Sequence, residues 1–262
     1  MADDAATHWT RALHDWGIPA AILNQAPQTP WIHHAESFRP AGDVSVDTPS
    51  RHRALAGLYE VVGAPSVLDV GCGGGRAAFG LVPPAQTVVG VDQQQGMLDV
   101  FVEEATTRGI RARTILGAWP DIARDAPRCD VVICHHVLYN VADLVPFVTE
   151  LTAHAKWRVV IELTVHHPLS NLSDAWSRFW DLERPSSPTA QDALAVVLEL
   201  SLRAHYETFL AVDDKSEVSD RDVEHTRIRL CLSASRDSDV REFLESRPSP
   251  PRELATIWWD LK

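Results

Sequence analysis

Short apolar segments alternate with amphipathic helical repeats along the central part of the chain. The apolar segments lie at 66–70, 87–91, 113–116, 130–134 and 158–163. Such short runs, apolar on both faces, are typical of buried parallel strands. Two further strands are indicated near 204–212 and in the final ATIWWDL segment. The pattern predicts an α/β fold, a doubly wound and mostly parallel sheet of about seven strands with helices on both faces.

Two of the intervening helical segments have well-defined apolar faces, with apolar residues at spacings of three and four. In the segment 96–108 these residues are Leu98, Phe101, Val102 and Ala105. In the segment that begins at 143 they are Leu144, Phe147, Val148 and Leu151. Less regular helical segments are expected near 172–182 and 189–201, followed by a charged helical insertion.

A further helix precedes the first strand and marks the start of the main domain, which we place at 51–262. Ser50 is expected to cap this helix and Gly63 to end it. The residues expected on its buried face are Leu55, Leu58, Tyr59 and Val62.

Residues 1–50 are expected to form a helical and Pro-rich cap on that domain. Trp9, Ala12, Leu13 and Trp16 share one face of a helix that ends at Gly17. Four prolines then fall within 26–49, which suits an irregular segment laid over a surface. We hypothesise that this cap folds over a ligand site as a lid.

Charge and composition restrict the partners and the compartment. The formal net charge is −12, and no stripe dense in Lys and Arg offsets it, so nucleic acid is an unlikely partner. The first residues lack a basic segment followed by an apolar core, and no long apolar stretch follows; we therefore expect a cytoplasmic protein without membrane association. The four cysteines form no CxxC pair and are interpreted as reduced thiols.

The segment VLDVGCGGG at 67–75 is the most informative motif. Here an apolar strand runs into glycines that open a helix, and Gly71 and Gly73 allow close approach of a ligand to the backbone. A dinucleotide-binding loop has a similar pattern, but its third glycine is replaced here by Arg76. Asp69 would repel a pyrophosphate and would favour a sulfonium or ammonium group.

A second acidic residue strengthens this interpretation. Asp92 ends the VVGVD strand, where a carboxylate can accept hydrogen bonds from both ribose hydroxyls. With both features, the chain resembles the class I S-adenosylmethionine-dependent methyltransferases from residue 67 to about residue 163. The resemblance implies a Rossmann-like fold, S-adenosyl-L-methionine as cofactor, and a methyl acceptor that the sequence does not identify.

The resemblance also implies which residues surround the cofactor. The loop of Asp69, Gly71, Cys72 and Gly73 would hold the methionine and ribose part, and Asp92 the ribose. Gln93 and Met97 would flank the adenine, and His135 would lie along the cofactor, with Leu138 beneath it. After the third strand the family often has an acidic residue that meets the adenine amino group. This chain has Gly117, Ala118 and Trp119 there, so backbone groups of the first two would meet the adenine, and the indole either stacks on it or fills space.

Candidate catalytic residues follow the fourth and fifth strands. His136, Tyr139 and Asn140 would face the acceptor, and His136, His166 and His167 are candidate general bases because imidazole takes a proton near neutral pH. Glu162, at the end of the fifth strand, is another candidate. Of these residues, we take His136, Tyr139 and His166 as the catalytic candidates.

No metal site is expected. The adjacent pairs His33-His34, His135-His136 and His166-His167 suggest ligands, but neighbours in extended chain point to opposite faces and no carboxylate pair accompanies them.

The sequence thus predicts an S-adenosylmethionine-dependent methyltransferase that acts on a small-molecule acceptor. The aligned sulfonium is already activated, so positioning and exclusion of water are the main tasks of the protein. Two alternatives are a catalytically silent cofactor-binding protein and a nicotinamide-dependent oxidoreductase.

Overall fold

A computed structural model of the chain describes residues 4–31, 35–40, 42–211, 217–247 and 251–261. Its centre is one seven-stranded sheet with the order β3-β2-β1-β4-β5-β7-β6. The strands are β1 (Ser66–Val70), β2 (Thr87–Asp92), β3 (Ala112–Leu116), β4 (Cys129–His135), β5 (Ala155–Thr164), β6 (His205–Leu210) and β7 (Glu253–Asp260). Strands β1 to β5 are parallel, and β7 runs antiparallel to both of its neighbours. The predicted fold class is confirmed.

Ten helices lie within the described residues and surround the sheet. They are α1 (Ala5–Asp15), α2 (Ala20–Leu23), α3 (Pro49–Tyr59), α4 (Arg76–Phe79), α5 (Gln95–Thr107), α6 (Leu144–His154), α7 (Ser173–Trp180), α8 (Ala190–Glu199), α9 (Asp220–Arg229) and α10 (Asp237–Glu245). None of the described helices is long and apolar enough to cross a membrane.

Side chains alternate between the two faces of the sheet, and each face has its own core. Val132 and Ile161 belong to the core that includes residues of α1, α6 and α8. Val131 and Val160, one position earlier, belong to the core with α3, α4 and α5. This alternation places every second strand residue on the same face of the sheet.

The prediction for α3 is wrong at its start and on its buried face. The hydroxyl of Thr48, not Ser50, caps the helix by accepting the N–H of Arg51 at 3.2 Å. The helix ends at Tyr59, which is 71% exposed, and Val62 beyond it is fully exposed. The residues of α3 that are buried are Ser50, Ala54, Gly57 and Leu58.

Close packing against the sheet explains this rotation of α3. A Cβ atom at Gly57 would lie 3.0 Å from Cγ2 of Val131 and 3.3 Å from Cβ of Arg158. The helix therefore approaches β4 and β5 through its small residues. Of the predicted face, Leu58 is buried and Leu55 partly buried, whereas Tyr59 and Val62 face outward.

The other helical predictions differ in accuracy. The face of α6 is confirmed, since Leu144, Phe147, Val148 and Leu151 are all buried. In α5, Val102 is 48% exposed, against the prediction, and Met97 and Val100 are buried instead. The apolar face of α1 is largely confirmed, because Trp9, Ala12 and Trp16 are buried.

The cap has a separate small core that combines both ends of the chain. Ile18 and Ile22 from the N-terminal segment share this core with Trp176 of α7, Val223 of α9 and Phe243 of α10. The helices α7, α9 and α10 of the C-terminal third therefore pack with the N-terminal segment in one apolar cluster.

His167 connects α1 to the loop after β5. Its ring stacks on the indole of Trp16 at 4.0 Å between centroids and meets Tyr139 edge-on at 5.2 Å. Its Nδ1 accepts the N–H of Leu169 at 3.2 Å. Burial, together with the positive charge of Arg184, lowers the pKa of His167 to about 4, so the packed ring is neutral.

We expect this ring to make the protein less stable in mild acid. The unfolded chain takes up a proton near pH 6.5 and the folded one near pH 4, so this contribution is complete above pH 6.5 and decreases as the pH falls from about 6.5 to 4. Between pH 7 and 5 the free energy of unfolding should fall by about 2 kcal/mol through this residue alone. Urea unfolding of wild type and His167→Gln at both pH values measures the difference.

The control for this measurement is the exposed neighbour His166. The His166→Gln variant should keep the wild-type dependence on pH, whereas His167→Gln should show a shallower one. Equal slopes for wild type and His167→Gln would contradict the assignment.

Candidate active site

Polar side chains gather at the carboxyl edge of the parallel strands. Asp69 lies in β1, Asp92 ends β2, His135 ends β4 and Glu162 lies near the end of β5. By strand alternation all four are on the face that packs against α3, α4 and α5. The sheet order reverses between β1 and β4, and ligands of open α/β sheets bind at such a switch point.

The glycine loop after β1 is held in a tight turn. The N–H groups of Gly71 and Cys72 both donate to the carbonyl of Val91, at 2.8 and 3.0 Å. Gly71 has φ +74°, and a Cβ atom there would overlap the side chain of Val137. Glycine is therefore required at this position, and the loop runs directly past the end of β4.

Asp92 supports that loop from the neighbouring strand. Its Oδ2 accepts the N–H of Gly73 at 3.1 Å, and its Oδ1 accepts the N–H of Gln94 at 2.9 Å. The carboxylate is therefore fixed between the glycine loop and the start of α5, and its half-buried position leaves room for a ligand.

Asp69 has an unsatisfied carboxylate oxygen at this edge. It is 1% exposed, and its Oδ2 has no hydrogen-bond partner among the described residues. Burial, with the negative charge of Asp92 added, raises the pKa of Asp69 to about 8. A buried carboxyl beside another carboxylate fits a cationic ligand, and the sulfonium and ammonium groups of S-adenosylmethionine meet that requirement.

The residues expected around the adenine differ in where the structure places them. Gly117 donates its N–H to the carbonyl of Asp92 at 3.0 Å, which brings the loop after β3 beside the glycine loop. Gln93 and Ala118 are exposed, and Met97 is buried. The indole N–H of Trp119 donates to the carbonyl of Phe147 in α6 at 3.2 Å. That contact favours the space-filling interpretation of Trp119.

Two histidines after β4 meet Glu162. Nε2 of His136 lies 3.0 Å from Oε1 of Glu162, and Nδ1 of His135 lies 3.9 Å from the same oxygen. Burial lowers the pKa of His135, and its buried Nε2 has no partner among the described residues. The ring of His136 is instead about half exposed, 45% of its side chain.

Ser50 is the residue of this cluster that sequence reasoning did not assign to the site. It is fully buried, and its hydroxyl donates to Oε2 of Glu162. Burial alone would raise the pKa of Glu162, but the charges and hydrogen bonds of His135, His136 and Ser50 outweigh it and lower the pKa to about 2. Glu162 is therefore ionised at neutral pH.

The structure does not bring the other two catalytic candidates to this cluster. Tyr139 is 7% exposed, and its hydroxyl donates to the carbonyl of Thr164 at 2.8 Å, in contact with Trp9. His166 is exposed and forms an isolated backbone bridge with Thr189. Leu138 is fully buried in the core beneath the site.

The described residues contain no group of three or more His, Cys, Asp or Glu side chains placed to hold a metal ion. His33 and His34 lie outside the described residues.

Part of the N-terminal segment lies against the glycine loop. The ring of Phe38 is 3.6 Å from the position of a Cβ at Gly73, and its carbonyl would overlap one at Gly74. Arg39 then bonds Glu103 and Glu104 of α5 at 2.8 and 2.9 Å. These contacts support the lid hypothesis for residues 35–39.

Comparison with known proteins assigns the central part of the chain. A family model described as a methyltransferase domain matches residues 67–157, from β1 into β5. An uncharacterized protein of Haemophilus influenzae is 35% identical over 97 residues, which are 37% of this chain and 36% of that protein. A ubiquinone biosynthesis O-methyltransferase of Rickettsia bellii is 30% identical over 98 residues, 37% of this chain and 40% of that enzyme. The similarity thus covers less than half the length of these relatives.

Solved structures share the fold at low sequence identity. The YcgJ protein of Bacillus subtilis superposes with a TM-score of 0.54 and 17% identity, over 80% of this chain and 97% of that chain. Magnesium protoporphyrin IX methyltransferase (ChlM) of Synechocystis PCC 6803, solved with bound SAH, gives a TM-score of 0.50 and 13% identity over 97% and 99%.

Proposed function

We propose that the chain is a class I S-adenosylmethionine-dependent methyltransferase that methylates a small-molecule acceptor, and the methyltransferase domain matched at residues 67–157 supports this proposal. The observation that carries this proposal is the buried, unpartnered Oδ2 of Asp69 beside the glycine loop. The cofactor supplies an activated methyl group, and the protein aligns the acceptor behind it and excludes water.

The residues of the carboxyl edge divide the cofactor between them. Asp69, with the loop of Gly71, Cys72 and Gly73, holds the positively charged methionine part. Asp92 accepts hydrogen bonds from the ribose, because its carboxylate is already fixed by Gly73 and Gln94. Adenine lies toward the loop after β3. The residues proposed for its surroundings are Gln93, Met97, Gly117, Ala118 and Trp119.

His135 and His136 face the transferred methyl group in this proposal. His135 is buried and uncharged, so it lines the cofactor without competing for a proton. His136 is half exposed and bonded to an ionised carboxylate, which suits a general base. Among the three catalytic candidates, His136 is therefore the base that we favour.

The acceptor is proposed to be a small molecule that is methylated on oxygen. The net charge of −12 opposes the docking of nucleic acid. The contact of Phe38 with the glycine loop agrees with an acceptor that is covered by the N-terminal segment. A relative in Rickettsia bellii carries the name of an O-methyltransferase, which agrees with a proton-accepting imidazole.

Cofactor binding is tested by calorimetric titration with S-adenosylmethionine, S-adenosylhomocysteine and a nicotinamide dinucleotide. We expect micromolar binding of the first two and none of the third. Asp92→Ala should weaken binding about 30-fold or more, because it removes a charged acceptor of two hydrogen bonds. Binding of the nicotinamide dinucleotide alone would establish the oxidoreductase alternative instead.

The matched control is Asp99→Ala in α5, since Asp99 is exposed and accepts a hydrogen bond from the side-chain amide of Gln95. This variant should bind as the wild type does. Formation of S-adenosylhomocysteine in a screen of phenols and alcohols then separates an enzyme from a silent cofactor-binding protein.

Cofactor binding should also release a proton from Asp69. The free protein holds that carboxyl protonated at neutral pH, and a bound cation favours its ionised form. Calorimetry at pH 7 in phosphate and in Tris should therefore show release of close to one proton per cofactor, and affinity should rise with pH from 6 to 7.5.

Asp69→Asn has no proton to release and should lose this dependence on buffer along with part of the affinity. The thiols of Cys72 and Cys134 stay protonated, because burial and the negative charge of Asp69 raise the pKa of both. A wild type whose binding heat is independent of the buffer would refute the linkage.

A further inference from the structure

Glu162, near the end of β5, is the acceptor for both Ser50 and His136. One carboxylate oxygen accepts the hydroxyl of Ser50, and the other accepts Nε2 of His136 at 3.0 Å. The carbonyl of the same residue accepts the backbone N–H of His136 at 2.7 Å. His136 is therefore held by Glu162 through its ring and its backbone together.

The direction of each hydrogen bond follows from the ionised carboxylate. An ionised carboxylate only accepts, so the single proton of the Ser50 hydroxyl points to Glu162. The hydroxyls of Thr48 and Ser50 are 3.0 Å apart, so Thr48 must donate to Ser50. Thr48 in turn accepts the N–H of Arg51 at 3.2 Å. A directed chain thus runs from the first turn of α3 through Thr48 and Ser50 to Glu162.

The same reasoning fixes the tautomer of His136. In the uncharged form of the ring, Nε2 carries the proton that points to Glu162, and Nδ1 has the lone pair. The side chain is 45% exposed. His136 also has φ +60°, a rare conformation for a residue with a side chain, which the two bonds to Glu162 maintain.

We infer that Ser50 and Glu162 are positioning residues that present Nδ1 of His136 as the base for a hydroxyl acceptor. The inference rests on the proposed methyl transfer. The acceptor oxygen forms the bond to the methyl carbon while the bond from carbon to sulfur breaks, and sulfur keeps the electron pair as a neutral thioether. The acceptor proton passes to Nδ1, and Glu162 balances the charge of the resulting imidazolium.

A hydroxyl fits this arrangement better than an amine or a thiol. A neutral amine attacks before it loses a proton, and a thiol ionises readily near neutral pH. Neither acceptor therefore needs an imidazole that is held in place by a carboxylate. An alcohol or phenol must give up its proton during attack. A carboxylate that both orients the imidazole and stabilises its charged form serves that step.

The position of Ser50 also connects the base to the cap. Thr48 and Ser50 stand where the N-terminal segment enters α3, and Phe38 and Arg39 of that segment lie on the glycine loop and α5. The segment before α3 therefore makes two contributions. Its last residues help to orient Glu162 and, through it, His136, and its earlier residues cover the glycine loop.

The test is nitrogen-15 NMR of the full chain labelled at histidine, with the His136 signals assigned by their loss in His136→Gln. In the wild type at neutral pH, we expect Nε2 to be protonated and Nδ1 to have the shift of an unprotonated ring nitrogen. Glu162→Ala should mix the two tautomers and move both shifts toward their average, and Ser50→Ala should move them part of the way. Ser50→Thr retains the hydroxyl and should restore the wild-type pattern.

Ser45→Ala, in the exposed entry to α3, is the matched control and should leave the pattern unchanged. If Glu162→Ala does not fold, the comparison of Ser50→Ala with Ser50→Thr decides. A wild-type His136 protonated on Nδ1, or a pattern that neither variant alters, overturns the inference.

Turnover of a hydroxyl acceptor from the phenol and alcohol screen provides the second measurement. His136→Gln should lower kcat about 100-fold or more. Ser50→Ala should lower kcat about tenfold, with cofactor affinity and acceptor KM unchanged, and Ser50→Thr should recover it. A fixed tautomer in a protein that binds no S-adenosylmethionine would refute the proposed function alone, whereas binding with a mobile tautomer would refute the positioning role.

Discussion

Two carboxyl groups are buried where strands of the parallel sheet end, and each must be stabilised without water. Asp69 and Glu162 are 1% and 6% exposed. The two carboxyl groups differ in the hydrogen-bond donors around them. Glu162 receives hydrogen bonds from Ser50 and His136 and stays ionised, whereas Asp69 has an unpartnered oxygen and a pKa raised to about 8. One edge of the sheet therefore holds an anion whose hydrogen bonds are satisfied, and beside it a carboxyl group that a bound cation would stabilise.

This asymmetry separates the two halves of the site. The side of β1 and β2 provides glycines, a fixed Asp92 and the unsatisfied Asp69, which together suit a positively charged nucleoside ligand. The side of β4 and β5 provides an imidazole whose proton is placed by a carboxylate. Val137 connects the sides, because it follows the histidines in the chain and packs against Gly71. Binding and proton transfer are thus held at a fixed distance by the backbone of the switch point.

The sequence was sufficient for features that depend on local order. The strand, the glycine loop and Asp92 have the spacing of the family that the chain resembles, so residues 67–92 predicted the fold class, which the structure confirms, and suggested a cofactor loop. The apolar face of α6 was equally legible. Features that depend on how a helix is rotated against the sheet could not be predicted from the sequence. Ser50 reads as a helix cap, and its contact with Glu162 spans 112 residues and exists because α3 packs through Gly57.

The residues proposed to face the acceptor show the same limit, because residue type alone does not distinguish a catalytic role from a structural one. Tyr139 and His166 have reactive groups and follow the right strands, yet the hydroxyl of Tyr139 bonds a backbone carbonyl and His166 faces solvent. His136 differs from them in having Glu162 as a partner, which lies on β5 opposite His135, the residue before it in the chain. Proton transfer needs a pair of groups, and the pair is created by strand alignment. A sequence therefore reveals the cofactor, which the backbone binds, sooner than it reveals the base.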